Sequence, residues 1–135
     1  MTLLDTDKII RDYLLTCTTL TALVSTRIYC PRLPENATLP AVSFFARGGL
    51  SDPYIPGIVT PSIQFDCWAD DPEEARSIYM ALYDNLQGIQ NVTVGGSISR
   101  IMSAIEEVQG QDLVDTDIPT YFRCLTFFSL MIRAE

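Results

Sequence analysis

Histidine is absent from this sequence of 135 residues, and basic residues are few. Without the commonest general base and the commonest nitrogen ligand of metals, Ser-His-Asp triads, Cys-His pairs and histidine metal sites are excluded. Nine lysines and arginines against seventeen acidic residues give a net charge of -8, and no basic cluster is present that would bind a row of phosphates. The composition therefore argues against sequence reading of nucleic acid and against most hydrolytic chemistry.

Long apolar segments are also lacking. No stretch approaches the roughly 20 apolar residues that cross a bilayer, and Asp5, Asp7 and Lys8 interrupt the start, where a signal peptide is apolar. We therefore expect a soluble protein that is not exported and has no membrane partner. A hydrophobic fraction of 47% and the length of the chain suit one folded domain over residues 1–135.

The four cysteines stand far apart and form no C-x-x-C motif, so a zinc site is not expected. An even number permits two disulfides, but each thiol has apolar neighbours in the sequence. We expect small buried core residues in a reducing environment. These residues are Cys17, Cys30, Cys67 and Cys124.

The first third of the chain predicts helix followed by strand. Asp5 is placed to cap a helix that carries an apolar stripe and ends near Cys17. One or two further helical turns follow around Leu20 to Val24, and Arg27–Cys30 has the pattern of a short strand ended by Pro31.

The strongest helix start is acidic. Asp71 is the predicted N-cap, Pro72 the first helical residue and Glu74 the partner of a capping box, in a helix over about 71–88 that Gly88 ends. Asp70-Asp71 and Glu73-Glu74 resemble paired catalytic carboxylates, but capping and the helix dipole explain all four. We therefore expect no catalytic residue here.

Alternating apolar residues predict further strands at 41–47, 62–69, 97–108 and 120–133. The predicted fold class is α+β, with a mixed or antiparallel sheet of about four to five strands packed against an N-terminal helix and the central helix. Both faces of the last strand are apolar, so we expect one to pack on the helices and part of the other to meet another subunit.

Two segments, 48–60 and 110–118, are predicted to project as loops, the first because it is rich in glycine and proline. Trp68, opposite the buried residues of its strand, either anchors an interface or covers the neighbouring helix. The candidate interface or lumen residues are Asp52, Tyr54, Ile55, Trp68, Asp112, Asp115 and Asp117.

The acidic loop also permits a second interpretation. Asp112, Asp115 and Asp117 supply carboxylates of the kind that bind cations, yet the glycine and distal glutamate of a calcium loop are missing. A solvated acidic loop is the simpler explanation, and we expect neither a metal nor another cofactor.

The order of these elements resembles the tail-completion proteins of long-tailed bacteriophages, also called tail terminators. The most specific stretch is Ile63-Gln64-Phe65-Asp66-Cys67-Trp68-Ala69, followed by Glu74-Ala75 and a helix to Leu86. Elsewhere, the similarity lies in the order and spacing of elements, and it covers nearly the whole chain.

The resemblance implies a structural virion protein and not an enzyme. In that family a homohexameric ring caps the last ring of tail-tube protein, ends tail polymerisation and provides the docking surface for the head through a head-tail connector protein. DNA passes through the ring without specific binding. The chain would then lie at the head-proximal end of the virion tail, after assembly in the host cytoplasm.

Three alternatives remain open at this stage. One is a head-to-tail connector or neck protein, which attaches on the head side. Another is a small enzyme or ligand-binding α+β domain that uses the acidic loop for a metal. The third is a cellular interaction module that shares only the topology.

Overall fold

The structure is a computed structural model and describes residues 5–35, 37–51, 58–94, 99–114 and 121–134. Three helices and six strands follow one another along these described segments. In chain order they are α1 (Thr6–Leu15), α2 (Thr18–Val24), β1 (Ile28–Tyr29), β2 (Ala41–Ser51), β3 (Ile58–Ala69), α3 (Pro72–Leu86), β4 (Gln90–Val94), β5 (Ser99–Val114) and β6 (Phe122–Ala134).

The strands form one mixed sheet in the order β1-β2-β3-β6-β5-β4. β1 runs parallel to β2, and the other neighbouring pairs are antiparallel. The predicted α+β class is confirmed, with six strands in the described part of the chain instead of four to five. The additional strand is β4, a short strand at the edge of the sheet. Its residues are mostly polar and Asn91 has a left-handed backbone, at φ 54°, so the sequence shows no apolar alternation that would predict a strand there.

Both predicted helix caps are confirmed. The Asp5 side chain accepts a hydrogen bond from the backbone N–H of Lys8 at 3.2 Å, and the Asp71 side chain accepts one from the N–H of Glu73 at 3.2 Å. Pro72 occupies the start of α3, where its missing N–H leaves no bond unmade. The Asp71 carboxylate therefore caps the helix, and Glu73 and Glu74 lie in its first turn.

The helices pack on one side of the sheet, which we call the inner face. Ile10 and Leu14 of α1, Leu20 of α2, and Ile78 and Leu82 of α3 join one core cluster with the inner-face residues of the strands. At its centre, the Phe65 ring lies 5.7 Å from that of Phe44 and 5.8 Å from that of Phe128, measured between ring centroids. A hydrogen bond from the Tyr13 hydroxyl to the Asn85 carbonyl joins α1 to α3.

Strands extend into both segments predicted as loops. Leu50 pairs with Thr60, and Gly49 with Pro61, so β2 and β3 continue past a bulge after Ala46. In the second segment, Gly110 to Val114 belong to β5 and pair with β6. Residues 52–57 and 115–118, the remaining parts of these two segments, lie outside the described residues.

All four cysteines are free thiols, and Cys17, Cys67 and Cys124 are buried as the sequence predicts, whereas Cys30 is half-buried. Burial raises the pKa of Cys124 to about 11, which keeps its thiol protonated and poorly reactive. None of the helices in the described segments has the length and apolar character that crossing a membrane requires.

Candidate interaction surface

The side of the sheet that points away from the helices is called here the outer face. Its residues alternate with the core residues along β2, β3, β5 and β6, and the strand register places them side by side. Its large apolar members are Phe45, Ile58, Trp68, Ile105, Val108, Leu113, Leu125, Phe127 and Met131. Its charged members in the described segments are Arg47, Asp66, Arg100, Glu107, Arg123 and Arg133.

Trp68 stands at one end of the outer face and is held by three contacts. Its indole N–H donates to the Ser43 hydroxyl at 2.9 Å, its ring meets that of Tyr121 edge-on at 6.3 Å, and the Arg123 guanidinium lies 5.3 Å from its ring centre. Because the helices occupy the inner face, Trp68 does not cover the central helix. Of the two roles that the sequence left open, its position is compatible with the interface anchor.

A second aromatic and arginine pair lies further along the same face. The Arg47 guanidinium stacks 4.0 Å from the ring centre of Phe127. The same side chain donates to the Ser62 hydroxyl at 3.0 Å and lies 3.9 Å from the Glu107 carboxylate, to which Ser62 donates at 2.6 Å. These contacts hold the Arg47 guanidinium against an aromatic ring and beside a carboxylate on the outer face.

Asp66 is the buried charge of the outer face. The residue is only 5% exposed, and one carboxylate oxygen lies 3.6 Å from a guanidinium nitrogen of Arg123 while the other accepts a hydrogen bond from Gln64 at 3.3 Å. Burial raises the pKa of Asp66, and Arg123 and Gln64 partly oppose that rise. Ionisation of this carboxyl group is therefore less favourable in the folded chain than in the unfolded one.

The raised pKa of Asp66 predicts how stability depends on pH. The protonated carboxyl group contributes to the free energy of unfolding. This contribution is fully present below the pKa of the group in the unfolded chain, about 3.9, and is lost as pH rises through its pKa in the folded chain. Asp66→Asn should therefore gain stability relative to the wild-type chain as pH rises from about 4 towards neutral. Urea unfolding of both proteins over this pH range measures the difference.

Glu35→Gln is the control for that experiment, because it removes an exposed carboxylate and leaves Asp66 in place. Its stability should follow the wild-type curve more closely than that of Asp66→Asn. Parallel curves for Asp66→Asn and the wild-type chain would show that the Asp66 carboxyl group does not titrate differently on folding.

The exposed side of α3 forms a second surface, which we call the α3 patch. Met80 and Tyr83 are 57% and 37% exposed, and with Tyr79, Asp84 and Gln109 they border a shallow cavity of about 300 Å³. Most of this border is apolar or aromatic, with one carboxylate at its edge. Such a cavity suits an aliphatic side chain accompanied by a positive charge.

A polar cluster connects α3 to the bulged part of β5. The Tyr79 hydroxyl donates to the Glu106 carboxylate at 2.7 Å, and the backbone N–H of Gly110 donates to the Tyr79 hydroxyl at 3.1 Å. The buried Thr126 hydroxyl lies 2.8 Å from the same carboxylate. Glu106 thus faces α3, whereas the adjacent Glu107 reaches the outer face, in agreement with the opposite faces expected of neighbouring strand residues.

The structure describes two of the seven candidate residues. Trp68 lies on the outer face, and Asp112 lies on the inner side, where its carboxylate contacts the Arg76 guanidinium of α3 at 3.0 Å. These two residues do not form one site. The other candidates lie outside the described residues, namely Asp52, Tyr54, Ile55, Asp115 and Asp117.

Sequence reasoning did not find the arginine contacts of the outer face or the α3 patch. The contact between Arg47 and Phe127 depends on the pairing of strands distant in sequence, although the alternation of the strand does place Arg47 on the side opposite Val42 and Phe44. For Met80 and Tyr83, the signal was available: both stand outside the apolar stripe of α3, and two large apolar residues on a solvent side are unusual.

Comparisons with solved structures give a clear likeness of fold. No protein-family model matches the chain, and no curated protein shows a significant sequence match. A chain in a solved structure described as "Virion of native gene transfer agent (GTA) particle" has a similar fold, with a TM-score of 0.69 and 16% sequence identity. The match covers 94% of this chain and 93% of that chain, so the two share their fold over nearly their full lengths.

Proposed function

We propose that this chain is a structural protein of a phage-like virion. The observation that carries the proposal is the fold that it shares, over 94% of its length, with a chain of a gene transfer agent virion particle. An assembly role also agrees with the outer face and the α3 patch, which display apolar and charged side chains together. A structural role needs no catalytic site, and none of the described residues form a cluster suited to a metal ion.

More specifically, we propose a tail-completion role. In this role the chain forms a homohexameric ring on the end of the tail tube, ends polymerisation of the tube and offers a surface to the head-tail connector. The support is the resemblance of Ile63 to Leu86 to that family, and the capped helix α3 follows β3 as the resemblance implies. The excess of acidic residues suits a ring through which DNA passes without specific binding.

Deletion of the gene from the parent particle tests this role. Without the protein, we expect tails of irregular length and heads that stay unattached, and supply of the chain from a plasmid should restore both. Tails of normal length with unattached heads would contradict the terminator role and favour a head-to-tail connector. The native mass of the purified chain checks the hexamer separately.

A further inference from the structure

Five large apolar side chains are exposed among the described residues, and four of them form two pairs on opposite sides of the molecule. Ile105 and Met131, which are 58% and 38% exposed, are diagonal neighbours on the outer face. Met80 and Tyr83 form the α3 patch beyond the inner face. Two separate apolar patches are typical of a protein with a partner on each side.

The two sides also differ in charge. Helices α1 and α3, with their N-cap residues Asp5 and Asp71, carry seven acidic side chains against three basic ones, a net of -4. Among the residues that the structure describes, the outer face carries four arginines against two acids, a net of +2, although the whole chain is at -8. The helix side and the outer face are therefore electrostatically complementary to each other and not to themselves.

The shapes of the two surfaces agree with this charge pattern. The cavity of about 300 Å³ at the α3 patch is bordered by Tyr79, Met80 and Tyr83, with the Asp84 carboxylate beside them. The outer face offers the exposed aliphatic side chain of Ile105 and, on the neighbouring strand, the exposed Arg133, which stands four residues beyond Ser129, the partner of Ile105. An exposed apolar side chain on one surface and a cavity on another are the two halves that a head-to-tail contact requires.

We propose that the outer face of one copy of this chain docks on the α3 patch of the next copy. This contact deepens the proposed ring function, because a head-to-tail contact closes into a ring when its rotation allows. A second copy is favoured over other occupants because it brings the matching acidic surface. Contact between two outer faces would bring the arginines of both copies together, and their like charges would repel. DNA would be repelled by the net charge of -8 on the whole chain.

Two charge-reversal variants test the contact from its two sides. Ile105→Glu with Arg133→Glu makes the outer face negative, and Met80→Arg with Asp84→Arg makes the α3 patch positive. The charge changes are equal and opposite, and all four side chains are exposed, so the folded chain should tolerate both variants. Circular dichroism and thermal unfolding check the fold before the assembly of each is measured by sedimentation and native mass.

We expect self-association of each variant alone to be weaker than that of the wild-type chain by about 100-fold, because each places like charges in contact. An equal mixture of the two variants should associate again, to within about tenfold of wild type, since each negative outer face then meets a positive α3 patch. The mixed assemblies should contain both variants in equal number.

The control variant is Leu23→Arg with Glu35→Arg, which makes the same change of charge on α2 and in the segment before β2. It should assemble like the wild-type chain. If its self-association falls as much as that of Met80→Arg with Asp84→Arg, the loss is an effect of net charge alone, and the proposal is contradicted.

A 30-nucleotide single strand of DNA added to the wild-type chain tests nucleic acid as the other occupant of the outer face. Binding that the outer-face variant abolishes, with unchanged assembly, would overturn the contact.

The outcomes separate this contact from the proposed function. If the wild-type chain forms rings and both variants assemble normally as well, the contact is overturned and a ring function remains intact. Loss of assembly in the outer-face variant alone, with no rescue in the mixture, would overturn it as well. A wild-type chain that stays monomeric at high concentration contradicts the self-contact, whereas the tail lengths of the deletion particle decide the terminator role.

Discussion

Phe65→Ala should lower the free energy of unfolding by about 3–5 kcal/mol, the largest loss expected from a single truncation in this chain. Phe65 is fully buried on the inner face of β3, the central strand that pairs with both β2 and β6. Its ring lies between Phe44 and Phe128, at 5.7 and 5.8 Å, and the second pair is edge-to-face. Truncation removes apolar burial and two ring contacts, and it leaves a cavity that three packed strands cannot easily close.

Urea unfolding at neutral pH measures the loss, and Phe45→Ala is the matched control. Phe45 is half-buried on the outer face of the adjacent strand, so its truncation removes a similar side chain with far less cavity. We expect a clearly smaller loss for the control. An equal or greater loss for Phe45→Ala would mean that the core is not centred on the inner face.

Gly49→Ala should cost about 2–5 kcal/mol, because two separate effects oppose the methyl group. The residue has φ +135°, a conformation that L side chains rarely adopt. A Cβ atom there would also lie 2.2 Å from the Thr60 carbonyl oxygen and 2.6 Å from the Cα atom of Pro61, both on the paired strand β3. Because both atoms belong to the backbone, the two strands would have to separate locally.

Gly48→Ala separates the two effects in the same unfolding experiment. Gly48 also has a left-handed backbone, at φ +112°, but an added Cβ meets nothing within 4 Å. We expect this variant to lose only the strain contribution, about 1–3 kcal/mol. Equal losses for the two variants would show that the close approach of β2 and β3 at Gly49 relaxes at no cost.

Local signals in the sequence were sufficient for much of the fold. Asp71 and Pro72 predict the start of α3 because capping is a matter of adjacent residues, and the alternation over 62–69 predicts most of β3. Where the strands continue, local signals are misleading. Gly48 and Gly49 indicate a loop, yet pairing between β2 and β3 holds both at a bulge, which only the tertiary structure determines.

The candidate surface was less accessible to such reasoning. Trp68 was found because its position opposite a buried stripe is visible within one strand. The contacts of Arg47 with Phe127 and of Arg123 with Asp66 were not, since each requires the register between strands that lie far apart in the sequence. The charge contrast between the helix side and the outer face likewise appears only when the strands are assembled.

Over the described residues, that contrast gives the chain an electric dipole across its two layers, with the negative end at the helices and the positive end at the outer face. In an open row of copies joined by the proposed head-to-tail contact, the terminal charges would remain unneutralised at both ends. Closing the row brings those ends together and cancels the dipoles around the circle, so electrostatics favours a ring over a filament of equal length. Because exposed charges are screened within about 10 Å at 0.1 M salt, rising ionic strength should weaken this preference for closure.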